Sequence, residues 1–291
     1  MDDATAPRSE NEGGAFAGTI GGNTRLQVIL VENAAHPLYR NEEVNGKIIR
    51  CGLGRMLEGM DRYDPGVDIE VLLVINEASP TVSPSAERSG PLQRWAARRR
   101  RRRGERRRDM YTQLPRRYPF IGGVFFRDDR GGALGAYDFG YQLLARRGYR
   151  GDVSFMSSSV VGPCEHGWLL KYRGQFRRHP NVGLCGIGLN SHDTSAGDGP
   201  FAPHVQAYFM YTNMQVLSGA LGPRLLNADV RDELDLIRRG EIALSQRVLD
   251  AGYSITSPAF PSFAYRRGDR WAIPCGDLRY CRRLGLPINA I

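Results

Sequence analysis

The sequence predicts an α/β fold with a mainly parallel central sheet. Two continuous runs of apolar and β-branched residues, LQVILV at Leu26–Val31 and IEVLLVI at Ile69–Ile75, are typical of strands that are buried on both faces. Segments with helical spacing alternate with such runs between residues 26 and 257, which is the pattern of repeated βαβ units. Ligands of such sheets bind at the carboxyl ends of the strands.

The other elements follow in chain order. Residues 1–24 are rich in Gly, Ala and Ser and are expected to form a disordered tail. Asn41–Met60 is predicted as a loop entering a helix, and Ser79–Gly90 as a linker rich in Ser and Pro. Apolar runs predict further strands over Phe120–Arg127, Val153–Met156, Val182–Leu189 and Val205–Met210. Helical spacing predicts helices over Asp138–Arg146, Arg231–Arg239 and Glu241–Ala251, the last of which ends at Gly252.

The positive charge of the chain is concentrated in one segment. The formal net charge is +9, and Arg94–Arg108 holds ten arginines and a single acid, Glu105. The rest of the chain is therefore neutral, which excludes a basic surface spread over the whole fold. A charge run is most often a solvated face. The second interpretation is that this segment docks on anionic lipid, and the third is that it binds nucleic acid.

Several common motifs are absent from the sequence. It has no GxxxxGK[ST] phosphate loop, no complete GxGxxG fingerprint and no GxSxG nucleophile elbow. No apolar run approaches the roughly 18 residues of a membrane span. Cys164, His166, His179 and Cys185 lack the CxxC spacing of the usual zinc sites, and Cys185 lies in an apolar run where a packed free thiol is the usual state.

Polar residues at the predicted strand ends are the candidate binding groups. The glycine-rich segment Asp128–Tyr137 lies between a strand and a helix, where the backbone can approach an anion closely, although an ordinary turn has the same composition. Ser157–Ser159 follow the fourth strand, where their hydroxyls could bind a sugar or phosphate or simply cap the turn. His204 and Gln206 lie at the start of the sixth strand, and Glu241 lies in the first turn of a helix, a position that the helix dipole alone would favour.

The order of these segments resembles a GT-A glycosyltransferase of the family-2 type, in a bacterial and algal branch with a strand-end motif like FLNSSVRGP. The corresponding residues here are FMSSSVVGP, at Phe155–Pro163. The resemblance covers about residues 26–257. It extends to four further segments, Gly131–Gly140, Asn181–Asn190, Pro203–Thr212 and Gly240–Ile255.

The resemblance implies a fold, a reaction and a set of site residues. The fold would be a single GT-A catalytic domain over residues 25–257, with an Arg-rich insert at 80–117 and a loop-rich C-terminal extension at 258–291. The donor would be a nucleotide sugar, and the acceptor a glycan or a lipid-linked hydroxyl. Glu241 would be the base, and His204 and Gln206 would contact the acceptor or the donor sugar. The donor-binding residues would be Glu32, Asn76, Asp128, Asp129, Gly131, Gly135, Ser157 and Ser159.

The sequence departs from the family at the expected metal site. GT-A enzymes usually carry Asp-x-Asp after the fourth strand, where its carboxylates hold Mg²⁺ or Mn²⁺ on the diphosphate. This chain has Ser157-x-Ser159 there, and hydroxyls do not supply that charge. Either Asp152 still holds a metal, or an arginine of the insert neutralises the diphosphate, or the protein is a non-catalytic relative.

Two alternatives to a glycosyltransferase remain at this stage. One is a protein that binds nucleic acid or an anionic surface through Arg94–Arg108, with an affinity that falls steeply with salt. The other is a GT-A pseudoenzyme that scaffolds an assembly complex. The expected location is the cytoplasm, with peripheral attachment to a membrane if the arginine segment docks on anionic lipid.

Overall fold

The fold is built around one large sheet, which the computed structural model describes together with its surroundings over residues 25–44, 46–77, 91–193, 199–226, 233–273 and 286–290. The tail predicted over residues 1–24 and the linker predicted over Ser79–Gly90 lie outside these residues. The strands are β1 (Leu26–Asn33), β2 (Arg40–Val44), β3 (Lys47–Cys51), β4 (Ile69–Glu77), β5 (Ile121–Asp128), β6 (Asp152–Ser157), β7 (Val160–Val161), β8 (Val182–Gly186), β9 (Leu189–His192), β10 (Phe201–Val205), β11 (Phe209–Asn213), β12 (Ser254–Thr256), β13 (Ala264–Tyr265) and β14 (Asn289–Ala290).

Among the described residues, eight strands form the main sheet in the order β13-β12-β8-β11-β6-β1-β4-β5. The neighbouring strands β5, β4, β1 and β6 are all parallel. β11 is antiparallel to both β6 and β8, β12 is parallel to β8, and β13 is antiparallel at the edge. The prediction of an α/β fold with a mostly parallel sheet is therefore confirmed, and the sheet is mixed.

Helices pack against this sheet. They are α1 (Leu53–Arg62), α2 (Pro91–Arg117), α3 (Gly132–Arg146), α4 (Trp168–Arg178), α5 (Met214–Val216), α6 (Glu233–Asp235) and α7 (Ala243–Asp250). α3 packs on β1 and β4, α4 on β8 and β11, and α2 on β5. A π-helical turn, Leu217–Leu221, continues α5, and a second one, Leu236–Ile242, joins α6 to α7. None of the described helices is long and apolar enough to cross a membrane.

The neighbouring strands β1 and β4 are buried because their side chains are apolar on both faces. In β1 and β4, the apolar residues lie in register from Leu26 opposite Ile69 onwards, and nearly all of them are inaccessible to solvent. The polar pair inside this core is partly satisfied, since Gln27 Nε2 donates to Glu70 Oε2 over 2.9 Å, whereas Gln27 Oε1 is buried without a partner among the described residues. This hydrogen bond offsets part of the cost of burying the two side chains.

The predicted fifth and sixth strands are each divided in the structure. Val182–Leu189 is interrupted after Gly186, and the chain then enters β9, which pairs with β10 in a separate two-stranded sheet. Val205–Met210 is interrupted at residues 206–208 because the Ala207 N–H donates to the Glu241 carboxylate instead of to a neighbouring strand. A tertiary hydrogen bond therefore overrides the local β pattern.

Two further predictions of local structure are corrected. Asn41–Met60, predicted as a loop entering a helix, contains the β2–β3 hairpin before α1. The two helices predicted on either side of Gly240 form one helical segment from Glu233 to Asp250. The C-terminal extension adds β13 to the main sheet and pairs β14 with β7, next to the Ser157–Ser159 turn.

The Arg-rich insert is also more ordered than the sequence indicates. Its arginines lie in α2, a helix of 27 residues, although the side chains of residues 91–103 are outside the described part. Near its C-terminal end, Tyr111 and Leu114 are buried in the core. Arg108 pairs with Glu77 at the end of β4, and Arg107 donates to the Ala34 carbonyl after β1. The second half of α2 is therefore anchored on the carboxyl edge of the sheet.

Two helical glycines give a matched test of this packing. A Cβ on Gly140 of α3 would lie 2.7 Å from Ile29 Cγ2 in β1, whereas a Cβ on Gly174 of α4 would meet nothing within 4 Å. We expect Gly174→Ala to raise the free energy of unfolding by about 0.5–1 kcal/mol, since alanine loses less backbone entropy. In Gly140→Ala the same gain is outweighed by overpacking, which costs about 1–3 kcal/mol. Urea denaturation of both variants measures the difference, and an equal effect would contradict the contact between α3 and β1.

Candidate functional site

The strand order places a crevice between the carboxyl ends of β1 and β6. From β1 the chain proceeds to β4 and β5 on one side, and then returns to form β6 on the other side of β1. Such a reversal leaves a gap above the two central strands, where ligands of open α/β sheets bind. The residues at this gap are Glu32 and Asn33 of β1 and Ser157 of β6, with Val31 opposite Ser157 in the register.

Glu32 is the buried carboxylate at this switch point. Its side chain is inaccessible to solvent, and its Oε1 accepts from the Ser158 hydroxyl and from the Asn33 N–H, both over 2.8 Å. Two basic groups lie close by, with His36 Nδ1 at 3.4 Å and Arg40 Nη1 at 3.7 Å from Oε1. Its second oxygen, Oε2, is buried without a hydrogen-bond partner. A buried carboxylate needs such donors, so Glu32 fixes the geometry of both strand ends.

The serine turn, Ser157–Ser159, closes on itself. The Ser157 hydroxyl donates to Ser159 Oγ over 3.1 Å and accepts from the Ser159 N–H. Arg40 Nη2 donates to the Ser158 carbonyl over 2.9 Å, which ties this turn to the chain that follows β1. The turn is therefore held by hydrogen bonds among its own serines, by the Arg40 guanidinium and by the bond from the Ser158 hydroxyl to Glu32.

The predicted donor-binding residues at the ends of β4 and β5 meet at the same edge. Asn33 Nδ2 donates to Asp129 Oδ2 over 2.7 Å, and Asn76 Nδ2 donates to the Gly132 carbonyl over 2.9 Å. Gly131 lies in the left-handed region with φ of 71°, directly before α3. A Cβ on Gly135 would overlap the Arg130 carbonyl, so the tight entry into α3 requires a glycine there. Asp128 is exposed as the last residue of β5.

Glu241 lies on the other side of the crevice, in the π-helical turn. Its Oε2 accepts from the Ala207 N–H over 2.7 Å, and its Oε1 lies 3.5 Å from His204 Nε2. Burial raises the pKa of Glu241 from 4.5 to about 7, although the hydrogen bond from Ala207 acts in the opposite direction. Of the side chain, 16% remains exposed, so a ligand can reach it. π-helical turns inside α-helices are frequent at functional sites.

His204 is held as a neutral imidazole. Its Nδ1 lies 2.7 Å from the Ala202 carbonyl, which can only accept, so Nδ1 carries the proton. Burial lowers the pKa of His204, although the bond to Ala202 opposes this shift. Nε2 then presents a lone pair to Glu241, and the two side chains can share one proton.

The turn at residues 206–208 joins the two sides of the crevice. The Ser157 N–H donates to the Tyr208 carbonyl over 3.0 Å, and the adjacent Ala207 N–H binds Glu241. Tyr137 of α3 donates its hydroxyl to the Ala207 carbonyl over 3.0 Å. Gln206, in the same turn, has a buried Oε1 without a partner. The serine turn and Glu241 are therefore two hydrogen bonds apart at one edge.

Asp152 is not part of this edge. It begins β6, and Ser157 ends the same strand, so Asp152 lies at the amino end of the sheet. Its Oδ2 accepts from the Tyr211 hydroxyl over 2.7 Å and from Arg177 over 3.3 Å, with Arg173 Nε at 3.5 Å. The possibility that Asp152 holds a metal stays a prediction from the sequence, and its carboxylate lies at the opposite edge with two arginines and a tyrosine hydroxyl as partners.

The residues at the crevice do not fit a Mg²⁺ or Mn²⁺ ion. Such ions take carboxylate oxygens, whereas Ser157 and Ser159 offer hydroxyls that already bind each other. The nearby carboxylate of Glu32 faces Arg40. In the part of the chain that the structure describes, no three His, Cys, Asp or Glu side chains converge as metal ligands do.

The four soft ligands considered for zinc have separate partners. Cys164 Sγ donates to the Pro287 carbonyl, and His166 Nδ1 accepts from the Asp64 N–H. His179 Nε2 lies 2.9 Å from the Pro261 carbonyl. Cys185 is a free thiol that is fully buried, as its apolar surroundings predict.

Sequence reasoning missed several residues at the crevice. Arg40 lies between the predicted first strand and the segment that begins at Asn41, and only its contact with Ser158 reveals it. Tyr137 lies inside the glycine-rich segment, where an aromatic residue indicates packing rather than a bond to a distant turn. Arg127 Nη1 donates to Asn76 Oδ1. The position of Arg127 at the end of a buried strand was the feature of the sequence that could have indicated this role.

Comparison with known proteins adds no assignment, since no protein-family model matches the chain and no curated protein is similar to it at a significant level.

The raised pKa of Glu241 predicts a pH-dependent stability. Because the pKa of the folded state, about 7, lies above the ordinary value of 4.5, the folded protein holds an additional proton between these values. The stabilisation is complete below the lower value and is lost as the pH rises through the higher one. Glu241→Gln mimics the protonated carboxyl, since its amide can donate to His204 and accept from Ala207.

We therefore expect the unfolding free energy of Glu241→Gln, relative to the wild type, to rise by about 2 kcal/mol between about pH 5 and pH 8. Because His204 Nε2 lies 3.5 Å from Glu241 Oε1, the two side chains titrate as a pair, and the difference reports that pair. Denaturant titrations at pH 5 and pH 8 measure the difference in unfolding free energy between the variant and the wild type. If this difference is the same at both pH values, Glu241 ionises normally in the folded state.

Proposed function

We propose that the protein is a glycosyltransferase of the GT-A type, which moves a sugar from a nucleotide-sugar donor to an acceptor hydroxyl. The proposal is supported by the α/β sheet with its switch point between β1 and β6, and by the polar groups at their carboxyl ends. The resemblance of the FMSSSVVGP segment at Phe155–Pro163 points to the same class. The acceptor is a glycan or a lipid-linked hydroxyl, and the expected location is the cytoplasm.

The donor lies along the carboxyl ends of β1, β4 and β5 in this proposal. Asn33, Asn76 and Asp129 offer amide and carboxylate groups that can bind a base or ribose hydroxyls. The left-handed Gly131 leads the backbone into α3 beside these groups. The anomeric carbon then faces the serine turn and, across it, Glu241.

The carboxyl of Glu241 is the observation that carries the proposal. A general base works best when its pKa is near the operating pH, and the pKa of Glu241 is about 7. As the acceptor oxygen bonds to the anomeric carbon, its proton passes to the Glu241 carboxylate. The bond from the anomeric carbon to the diphosphate oxygen breaks, and its electron pair leaves with the diphosphate. His204 Nε2 stabilises the proton on Glu241, because its lone pair faces Oε1.

Replacement of the base tests this role. We expect Glu241→Gln to lower the rate of sugar transfer by about a hundredfold to ten-thousandfold, the usual contribution of a general base. The matched control is Asp235→Asn, on the same helical segment, because Asp235 pairs with Arg239 outside the crevice. The wild-type rate is expected to rise with pH towards about 7, as the base loses its proton. Transfer is followed with radiolabelled nucleotide sugars.

Three outcomes of that experiment are distinguishable. An unchanged rate in Glu241→Gln would show that another group is the base. Nucleotide binding without any transfer by the wild type would favour the pseudoenzyme alternative. If the wild type neither binds a nucleotide nor transfers sugar, but binds anionic polymers through Arg94–Arg108 with an affinity that falls with salt, the alternative that acts through α2 is favoured.

A further inference from the structure

A cavity lined by arginines opens next to the serine turn. Its volume is about 490 Å³, and its walls come from the β2–β3 hairpin, the residues before it and the first turn of α1. The lining residues are Tyr39, Arg40, Asn41, Arg50 and Arg55. Three guanidinium groups around one cavity are typical of sites that bind phosphate groups, since each can donate two hydrogen bonds to phosphate oxygens.

Arg40 connects this cavity to the proposed reaction centre. Its Nη2 donates to the Ser158 carbonyl over 2.9 Å, and its Nε donates to Glu42 over 2.9 Å. Its side chain is only 12% exposed, so these bonds hold it in one position. The cavity therefore adjoins the turn that replaces the Asp-x-Asp motif of the related enzymes.

The charges in the cavity are only partly balanced. Arg55 pairs with Glu58 over 2.7 Å, and Glu58 also accepts the Tyr39 hydroxyl over 2.8 Å. Arg40 pairs with Glu42 over 2.9 Å. Arg50 is exposed, and its guanidinium has neither a hydrogen bond nor an ion pair within the described part of the chain. An anion that enters the cavity thus meets the unpaired guanidinium of Arg50. It also meets the guanidinium groups of Arg40 and Arg55, which it would share with Glu42 and Glu58.

The N-terminus of α1 adds a second favourable field. Arg55 lies in its first turn, which contains no acidic residue, and Gly52 before it offers no side-chain cap. The Tyr39 ring packs against this end so closely that a Cβ on Gly54 would overlap it. The Gly54 N–H already donates to the Leu38 carbonyl, so this helix end contributes the positive end of its dipole, which adjoins the guanidinium groups.

We propose that this arginine-lined cavity binds the diphosphate of the donor, and that its guanidinium groups replace the divalent cation of related enzymes. The inference rests on the proposed function, because the diphosphate is the leaving group of that reaction. When the bond to the anomeric carbon breaks, the diphosphate oxygen takes the electron pair and gains one negative charge. Arg50 and Arg55 neutralise that charge, and Arg40 positions the serine turn beside it.

Calorimetric titration of the full chain with inorganic pyrophosphate, in the presence of EDTA, tests the site. We expect binding without a divalent cation, and an affinity at least about tenfold weaker in Arg50→Gln/Arg55→Gln, since a hydrogen bond between charged groups contributes about 1.5–3 kcal/mol. The control is Arg62→Gln at the other end of α1, where the guanidinium lies over the Tyr63 ring, and its affinity is expected to match the wild type. All three residues are outside the core, and melting temperatures check that the variants fold.

The source of the phosphate is established by competition. Displacement of pyrophosphate by UDP or GDP supports the donor assignment, whereas displacement only by a polyisoprenyl phosphate in detergent would overturn it in favour of a lipid carrier. Binding that requires Mg²⁺ or Mn²⁺, or that Arg50→Gln/Arg55→Gln leaves unchanged, would overturn the site itself. Sugar transfer that survives this double variant would refute the site while the proposed function stands. If pyrophosphate binds without a cation but no nucleotide sugar supports transfer, the proposed function is refuted while the site stands.

Discussion

The hydrogen bond from the Ala207 N–H to the Glu241 carboxylate is the contact on which the crevice depends. It interrupts an apolar segment that would otherwise continue as one strand, and it turns the chain at residues 206–208. The Tyr208 carbonyl then accepts from Ser157, so the turn fastens β6 to the helical segment that carries Glu241. One buried acceptor thereby determines where two candidate groups of the reaction lie relative to each other. Its burial also gives Glu241 a pKa that suits a proton acceptor.

The positive charge at the crevice comes from guanidinium groups of the protein. Where GT-A glycosyltransferases hold a cation between carboxylates, this chain has hydroxyls that bond among themselves. Fixed positive charge comes instead from Arg40 and the cavity beside it, and from Arg107 and Arg108 at the end of α2. A preorganised set of guanidinium groups can stabilise a departing anion without reorganisation during the reaction. The Arg-rich segment therefore has an anchored end at the sheet edge as well as a long cationic helix.

The sequence predicted the parts of the fold that depend on local composition. The apolar runs at Leu26–Val31 and Ile69–Ile75 could only be satisfied in a sheet covered on both faces, and the structure contains both as parallel neighbours. The turn at 206–208 could not be predicted, since its cause is a hydrogen bond from Glu241, 34 positions further along the chain. Arg40 was missed for the same reason, because its partner Ser158 is 118 positions away. The position of Asp152 at the amino end of β6 was available from the sequence, because Asp152 precedes the predicted strand Val153–Met156 and Ser157 follows it.

The central claim is that the crevice binds a nucleoside diphosphate at the edge that carries Glu241. Thermal unfolding of the full chain in the presence of UDP, GDP, ADP, CDP and the matching monophosphates tests it most directly. The account predicts that at least one diphosphate raises the melting temperature more than its monophosphate does. A ligand at a hundred times its Kd stabilises the folded state by about 2.7 kcal/mol. If no diphosphate at millimolar concentration changes the melting temperature, with or without Mn²⁺, the crevice is not a donor site and the account is contradicted.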